Sequence, residues 1–153
     1  MRSAMPLAGI AVLALWGCGG SSLVTGPGSG SLNGGSVVNS ILAAPPGDSI
    51  IDAPAMVHQG AAVNVSVWTM VAGCYSPLSM GYAYGPALVT LTPYSQDTRG
   101  RGICAAFITE QPQTISVVFG TVGVDTVRAI GYVSSPGGKL TLGSVQRTVV
   151  VVP

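Results

Sequence analysis

From residue 37 onward, hydrophobic residues alternate with polar ones or fall in short runs bounded by Gly, Pro, Asn and Asp. Alternation with period two is the signature of pleated strands, whose successive side chains point to opposite faces. No stretch of ten or more residues in this region carries the 3.6-residue spacing of an amphipathic helix. Val63-Asn64-Val65-Ser66-Val67-Trp68-Thr69 alternates cleanly, which predicts Val63, Val65 and Val67 in the core and Trp68 on the other face. Residues 88–92 read as a second strand, stopped by Pro93. Residues 103–109 read as a third, with Ile103, Ala105 and Phe107 on one face, and residues 115–119 as a fourth. Gly120-Thr121-Val122-Gly123 makes a turn, because glycine admits positive φ. Residues 125–133 form a fifth strand, closed by residues 134–138. The last covers residues 147–152, where continuous valines imply burial on both faces. Weaker strands at 40–43 and 49–52 are separated by Pro45-Pro46-Gly47. The uncharged run from Val149 to Val152 is an aggregation hazard on an open edge, so the middle of a sheet is its expected place. Pro153, with no N–H to donate, ends the ladder.

About seven short strands with turn signals every eight to twelve residues or so argue an all-β domain built as an antiparallel sandwich. Ile50-Ile51-Asp52-Ala53-Pro54 and Gly60-Ala61-Ala62-Val63 resemble the opening of bacterial immunoglobulin-like domains. Gly123-Val124-Asp125-Thr126-Val127-Arg128-Ala129-Ile130-Gly131 resembles their penultimate strand. The resemblance implies an immunoglobulin-like β-sandwich over residues 37–153. The strand pattern alone leaves a jelly roll or a barrel open.

The first residues have another character. Arg2 precedes an apolar run from Met5 to Trp16. Twelve helical residues cover about 18 Å, short of the roughly 30 Å hydrocarbon core of a bilayer. That length fits the apolar region of a signal peptide. The run ends in Leu15-Trp16-Gly17-Cys18, which resembles the lipobox of bacterial lipoproteins. The resemblance implies a signal peptide over residues 1–17, cleavage before Cys18, and a lipid on the Cys18 thiol. Gly19, where an Asp would favour the inner membrane, implies the outer membrane of the cell envelope if the source has one. An ordinary secretory signal with Cys18 left as a thiol is the alternative. Residues 19–36 hold seven Gly and five Ser. Such a segment behaves as a flexible tether with a reach of roughly 24 Å.

Cysteine arithmetic fits an exported protein. With Cys18 assigned to lipid, Cys74 and Cys104 remain, and their pairing would contribute about 3–4 kcal/mol by restricting the unfolded chain. A metal site is the alternative, although two thiols without a nearby His fall short of the four ligands zinc takes.

Charged residues make up 7% of the chain and the net charge is +1. That balance excludes nucleic acid as an electrostatic partner. The single histidine, His58, lies in a bend, and no Gly-x-Ser-x-Gly elbow presents a nucleophile. Asp48, Asp52, Asp97, Glu110 and Asp125 are scattered singly, so neither paired-acid catalysis nor a calcium cluster is expected. The aromatic residues are more informative. Tyr75, Tyr82, Tyr84 and Tyr94 fall close together after Trp68, in what reads as a Gly/Pro-punctuated loop from Cys74 to Pro86. Two readings compete. The rings cap the sandwich edge against Trp68, or they form a binding patch, since Tyr gives contact area at low entropic cost. Arg99-Gly100-Arg101 is a basic tip, solvated or in contact with lipid headgroups or an anionic envelope polymer. The sequence therefore predicts a non-catalytic, membrane-anchored envelope lipoprotein without cofactor or metal, acting as a structural or interaction module. The alternative is a carbohydrate- or peptide-binding module using residues 75–94. Its partner would be an envelope protein or glycan.

Replacing Cys18 with Ser should release the protein into the soluble fraction or leave it unprocessed, with no lipid label incorporated. Continued lipid labelling of that variant would contradict the anchor.

Overall fold

The computed structural model describes residues 36–99 and 103–153. The expected signal peptide, Cys18 and the expected tether as far as residue 35 lie outside the described residues, as do residues 100–102. Among the described residues all regular structure is strand: β1 (Ser36–Asn39), β2 (Ile41–Leu42), β3 (Ile51–Asp52), β4 (Met56–His58), β5 (Ala62–Gly73), β6 (Tyr75–Gly85), β7 (Leu88–Asp97), β8 (Ala105–Val118), β9 (Gly123–Ser134) and β10 (Leu140–Val152). The all-β class is as the alternation predicts.

The pairing is not a plain two-sheet sandwich. Strands β5, β6, β7, β9 and β2 follow one another in a closed ring, with the other strands added to it. Three long antiparallel ladders supply most of the structure: β5–β8, β6–β7 and β9–β10. Parallel pairings join them, β7 to β9, β2 to β9 and β4 to β10. The expectation of about seven antiparallel strands is corrected here to a five-stranded barrel with extra strands.

Val65 and Val67 are fully buried and Val63 packs against them from the rim. They meet Val117 and Phe119, Val89 and Leu91, Val127 and Ala129, and Val149 and Val151. The terminal valine run buries one face only, because Val150 is 39% exposed while Val149 and Val151 are at 0% and 1%. Its middle is paired on both sides as expected, since Val150 and Val151 lie between β9 and β4. Ile103 and Phe107 do not join the core and are exposed. The β5–β8 ladder runs on to Ala72↔Ile108 and Gly73↔Ala105, past the last core valines, which leaves Phe107 and Ile108 uncovered.

Two prolines lie inside strands. Pro93 does not stop β7, which continues to Asp97. It falls where β7 changes partner, between residues 88–91 on β9 and residues 94–97 on β1. There the absent N–H breaks no ladder bond, and the Pro93 carbonyl accepts from the Ser40 amide at 2.9 Å. The expected loop from Cys74 to Pro86 is strand β6, paired with β7 from Tyr75↔Asp97 to Gly85↔Leu88. Pro77 is absorbed by an irregularity in register between Pro77 and Ser79, as edge strands permit.

Closure depends on a close approach of backbones. The Gly131 position on β9 faces β2, where a Cβ would sit 2.6 Å from the Ser40 carbonyl oxygen and 2.8 Å from Leu42 Cγ. Gly131→Ala should therefore cost about 1–3 kcal/mol and lower Tm by several degrees. Gly120→Ala is the control, with nothing within 4 Å of the added methyl. Equal Tm values for the two variants by differential scanning calorimetry would contradict the close approach.

Candidate functional site

Strand β6 carries the aromatic residues of interest at its two ends. Alternation puts Tyr82 and Tyr84 on one face, opposite Leu91 and Val89 of β7. Leu91 and Val89 are covered by the core, but β6 meets β5 only at Ala72↔Tyr75 and is an open edge beyond it, so Tyr82 and Tyr84 remain 51% and 54% exposed. Their rings meet edge to face, with centroids 5.7 Å apart and planes at 78°. The Tyr84 hydroxyl accepts a hydrogen bond from the Val118 amide at 3.2 Å. The aromatic pair thus spans from β6 to the last residue of β8.

The other predicted site residues do not join them. Trp68 is half-buried on β5, on the face opposite to Val67 and Thr69, and pairs with Pro112. Tyr94 lies on β7 across from Ser79, with its ring edge over Gly81, where a Cβ would approach Cε2 to 3.1 Å. Gly81 thereby makes room for the Tyr94 ring. Tyr75 sits at the far end of β6, beside the Cys74–Cys104 disulfide. The two cysteines have Cα atoms 5.0 Å apart. Pairing uses both thiols, which removes the metal alternative. His58 is exposed, and its Nδ1 donates to the Pro153 carbonyl oxygen at 2.7 Å.

Around Tyr75 the structure assembles a cluster that the sequence pattern does not announce. The Arg99 guanidinium lies 4.9 Å from the centroid of the Tyr75 ring. Arg99 also grips the Asp97 carboxylate, Nη2 to Oδ2 at 2.7 Å and Nε to both oxygens at 3.1 Å. The Arg99 amide donates to Asp97 Oδ1 at 3.0 Å, and the Thr98 amide to the Cys74 carbonyl at 2.9 Å. Hydrogen bonds from Arg99 hold the Asp97 carboxyl below its ordinary value. Burial and then the Asp97 charge push the Tyr75 phenol up. Two clefts meet at Tyr75 and Arg99. One, of about 430 Å³, is apolar and runs along the disulfide to Phe107 and Ile108. The other, of about 200 Å³, reaches Ile41, Tyr132 and Leu140. The available signal was covalent: Tyr75 neighbours a bonded cysteine, and Asp97 and Arg99 stand two apart on a turn.

The interior holds a second unannounced feature. Gln113 Nε2 donates to Ser40 Oγ and Thr69 Oγ1, each at 3.2 Å, and Ser40 Oγ shares a 2.7 Å bond with Ser95 Oγ. All four residues are buried. Only their mutual satisfaction makes such burial tolerable.

The chain matches no protein-family model, no curated protein and no solved structure.

The Asp97–Arg99 pair carries a pH dependence. A carboxyl whose folded pKa is depressed contributes stability above its unfolded value, here 3.8, and loses it as the pH falls through the folded value. Asp97→Asn should therefore be less stable than the parent at neutral pH, with the gap narrowing below pH 3.8 and closing in stronger acid. Urea melts across that range check this, and a gap that does not depend on pH would contradict it.

Proposed function

We propose that the protein is a non-catalytic, lipid-anchored interaction module of the cell envelope, held in the outer membrane where the source has one, whose contact surface centres on Tyr82 and Tyr84. The observation that carries this reading is the aromatic pair itself. Two half-exposed rings stand on a strand that β7 holds along its length. A contact surface with so little freedom loses little entropy on binding. As in the immunoglobulin-like domains that parts of the sequence resemble, a valine-rich core would serve as the frame and one end as the contact. Anchoring rests on Leu15-Trp16-Gly17-Cys18 and on the Gly/Ser-rich segment after it.

Of the two partner classes, glycan and peptide, a peptide is favoured by the neighbouring strand. β8 is laddered to β5 on one side, and among the described pairings none occupies its other edge. An extended peptide could pair there and lay a side chain against the rings.

Changing Tyr82 and Tyr84 together to Ala should weaken capture of envelope partners by at least about 30-fold, the cost of losing an aromatic anchor. Tm should move by less than about 4 °C. Undiminished capture would overturn the reading. A large fall in Tm would show that the rings are structural caps.

A further inference from the structure

We propose that the disulfide end of the barrel is a docking face for the phospholipid bilayer, on which the domain rests with β6 pointing away from the membrane. This rests on reading Cys18 as the lipid anchor.

Three observations converge on that end. The first is the chain's point of entry. Ser36 pairs with Asp97, which pairs in turn with Tyr75. The segment leading back to Cys18 therefore leaves the domain beside the two clefts. With a tether reach of roughly 24 Å, an anchored Cys18 keeps this end of the barrel near the bilayer.

The second is uncovered apolar surface on either side of Tyr75 and Arg99. Ile108 is 70% exposed and Phe107 50%, at the overrun of the β5–β8 ladder. Leu142 is 61% exposed and Leu140 43%, at the start of β10. Tyr132, the cross-strand partner of Leu142, lines the smaller cleft with Leu140. Large apolar side chains gathered at one end mark an interaction surface. Tyr75 and Tyr132 add the rings that favour a membrane interface, apolar in body and polar at the tip.

The third is charge. Asp97 is neutralised by Arg99, and Lys139 stands exposed in the turn between β9 and β10. Phosphate headgroups meet no unpaired acid from this cluster. The contact surface of the proposed function lies at the other end. Tyr84 is nine residues along β6 from Tyr75, about 30 Å at 3.3 Å per residue. Docking would thus present Tyr82 and Tyr84 away from the lipid.

The test uses the full, lipidated protein. With Cys18 acylated and Cys74 bonded to Cys104, a cysteine placed by Leu142→Cys or by Tyr82→Cys is the one free thiol. Each is labelled with an environment-sensitive fluorophore. Each protein is then incorporated into phosphatidylethanolamine–phosphatidylglycerol vesicles that carry a nitroxide phospholipid. A docked label lies about 5–10 Å into the headgroup boundary and should lose more than about half its emission. The label at position 82 should keep its emission. Adding Ile108→Asp and Leu140→Asp to the Leu142→Cys protein should abolish quenching while flotation with the vesicles persists. Equal quenching at both positions, or none at either in protein that floats, overturns the docking face alone. A blue shift at position 142 without quenching assigns the face to a second copy of the chain and also overturns it. Protein that does not float overturns the anchor, and the docking face with it.

Discussion

Ser40 ties β7, β8 and β9 to one another. Its amide donates to the Pro93 carbonyl of β7, and its carbonyl accepts from the Tyr132 amide of β9. Its hydroxyl is bonded to Ser95 and receives Gln113 of β8. The next two residues form β2, which pairs with β5 on one side and β9 on the other. One short segment thus ties together strands that belong to three separate antiparallel ladders. Each such bond contributes only about 1 kcal/mol net. Removing one partner is costlier, because the remaining groups are buried and have no water to turn to.

That closure explains the division of labour along β6. The ring holds β7, and β7 holds β6 along its length, with one irregularity between Pro77 and Ser79. The ends of β6 can then be edge-exposed without being loose. At one end the disulfide, the Asp97–Arg99 pair and the Thr98–Cys74 bond fix Tyr75. At the other, the Tyr84 hydroxyl bridges to β8. A chain with few charges has little electrostatic means of recognition. In the interaction module proposed above, specificity would come from aromatic shape and from backbone edges, both of which need a stiff frame.

Much of this was legible in the sequence where the physics is local. The alternation at residues 63–69 correctly placed Val65 and Val67 inward, and the valine run correctly demanded pairing on both sides at Val150 and Val151, although it buries one face and not two. Tyr82 and Tyr84, two apart, do share a face. What was not legible depends on distant partners. Gly81 and Pro77 read as loop punctuation, yet one is a recess for Tyr94 and the other lies at an irregularity that an edge strand tolerates. Pro93 reads as a stop, and only the switch of partner from β9 to β1 makes it harmless. Phe107 has the spacing of a core residue but lies where no second layer faces it. Parallel pairings leave no period in the sequence to find. Neither does a buried network assembled from Ser40, Thr69, Ser95 and Gln113, four polar residues far apart in the chain.

The closed ring is the claim on which the separation of the two ends depends, and native-state hydrogen exchange tests it most directly. Protection follows the free energy of the opening that exposes each amide. If β2 closes the barrel, the amides of Ser40 and Tyr132 exchange only through global unfolding, with the same opening free energy as those of Val65 and Val67. Exchange of Ser40 and Tyr132 through a low-energy local opening, while β5 stays protected, would mean that β2 is a loosely laid segment and that the ring is open.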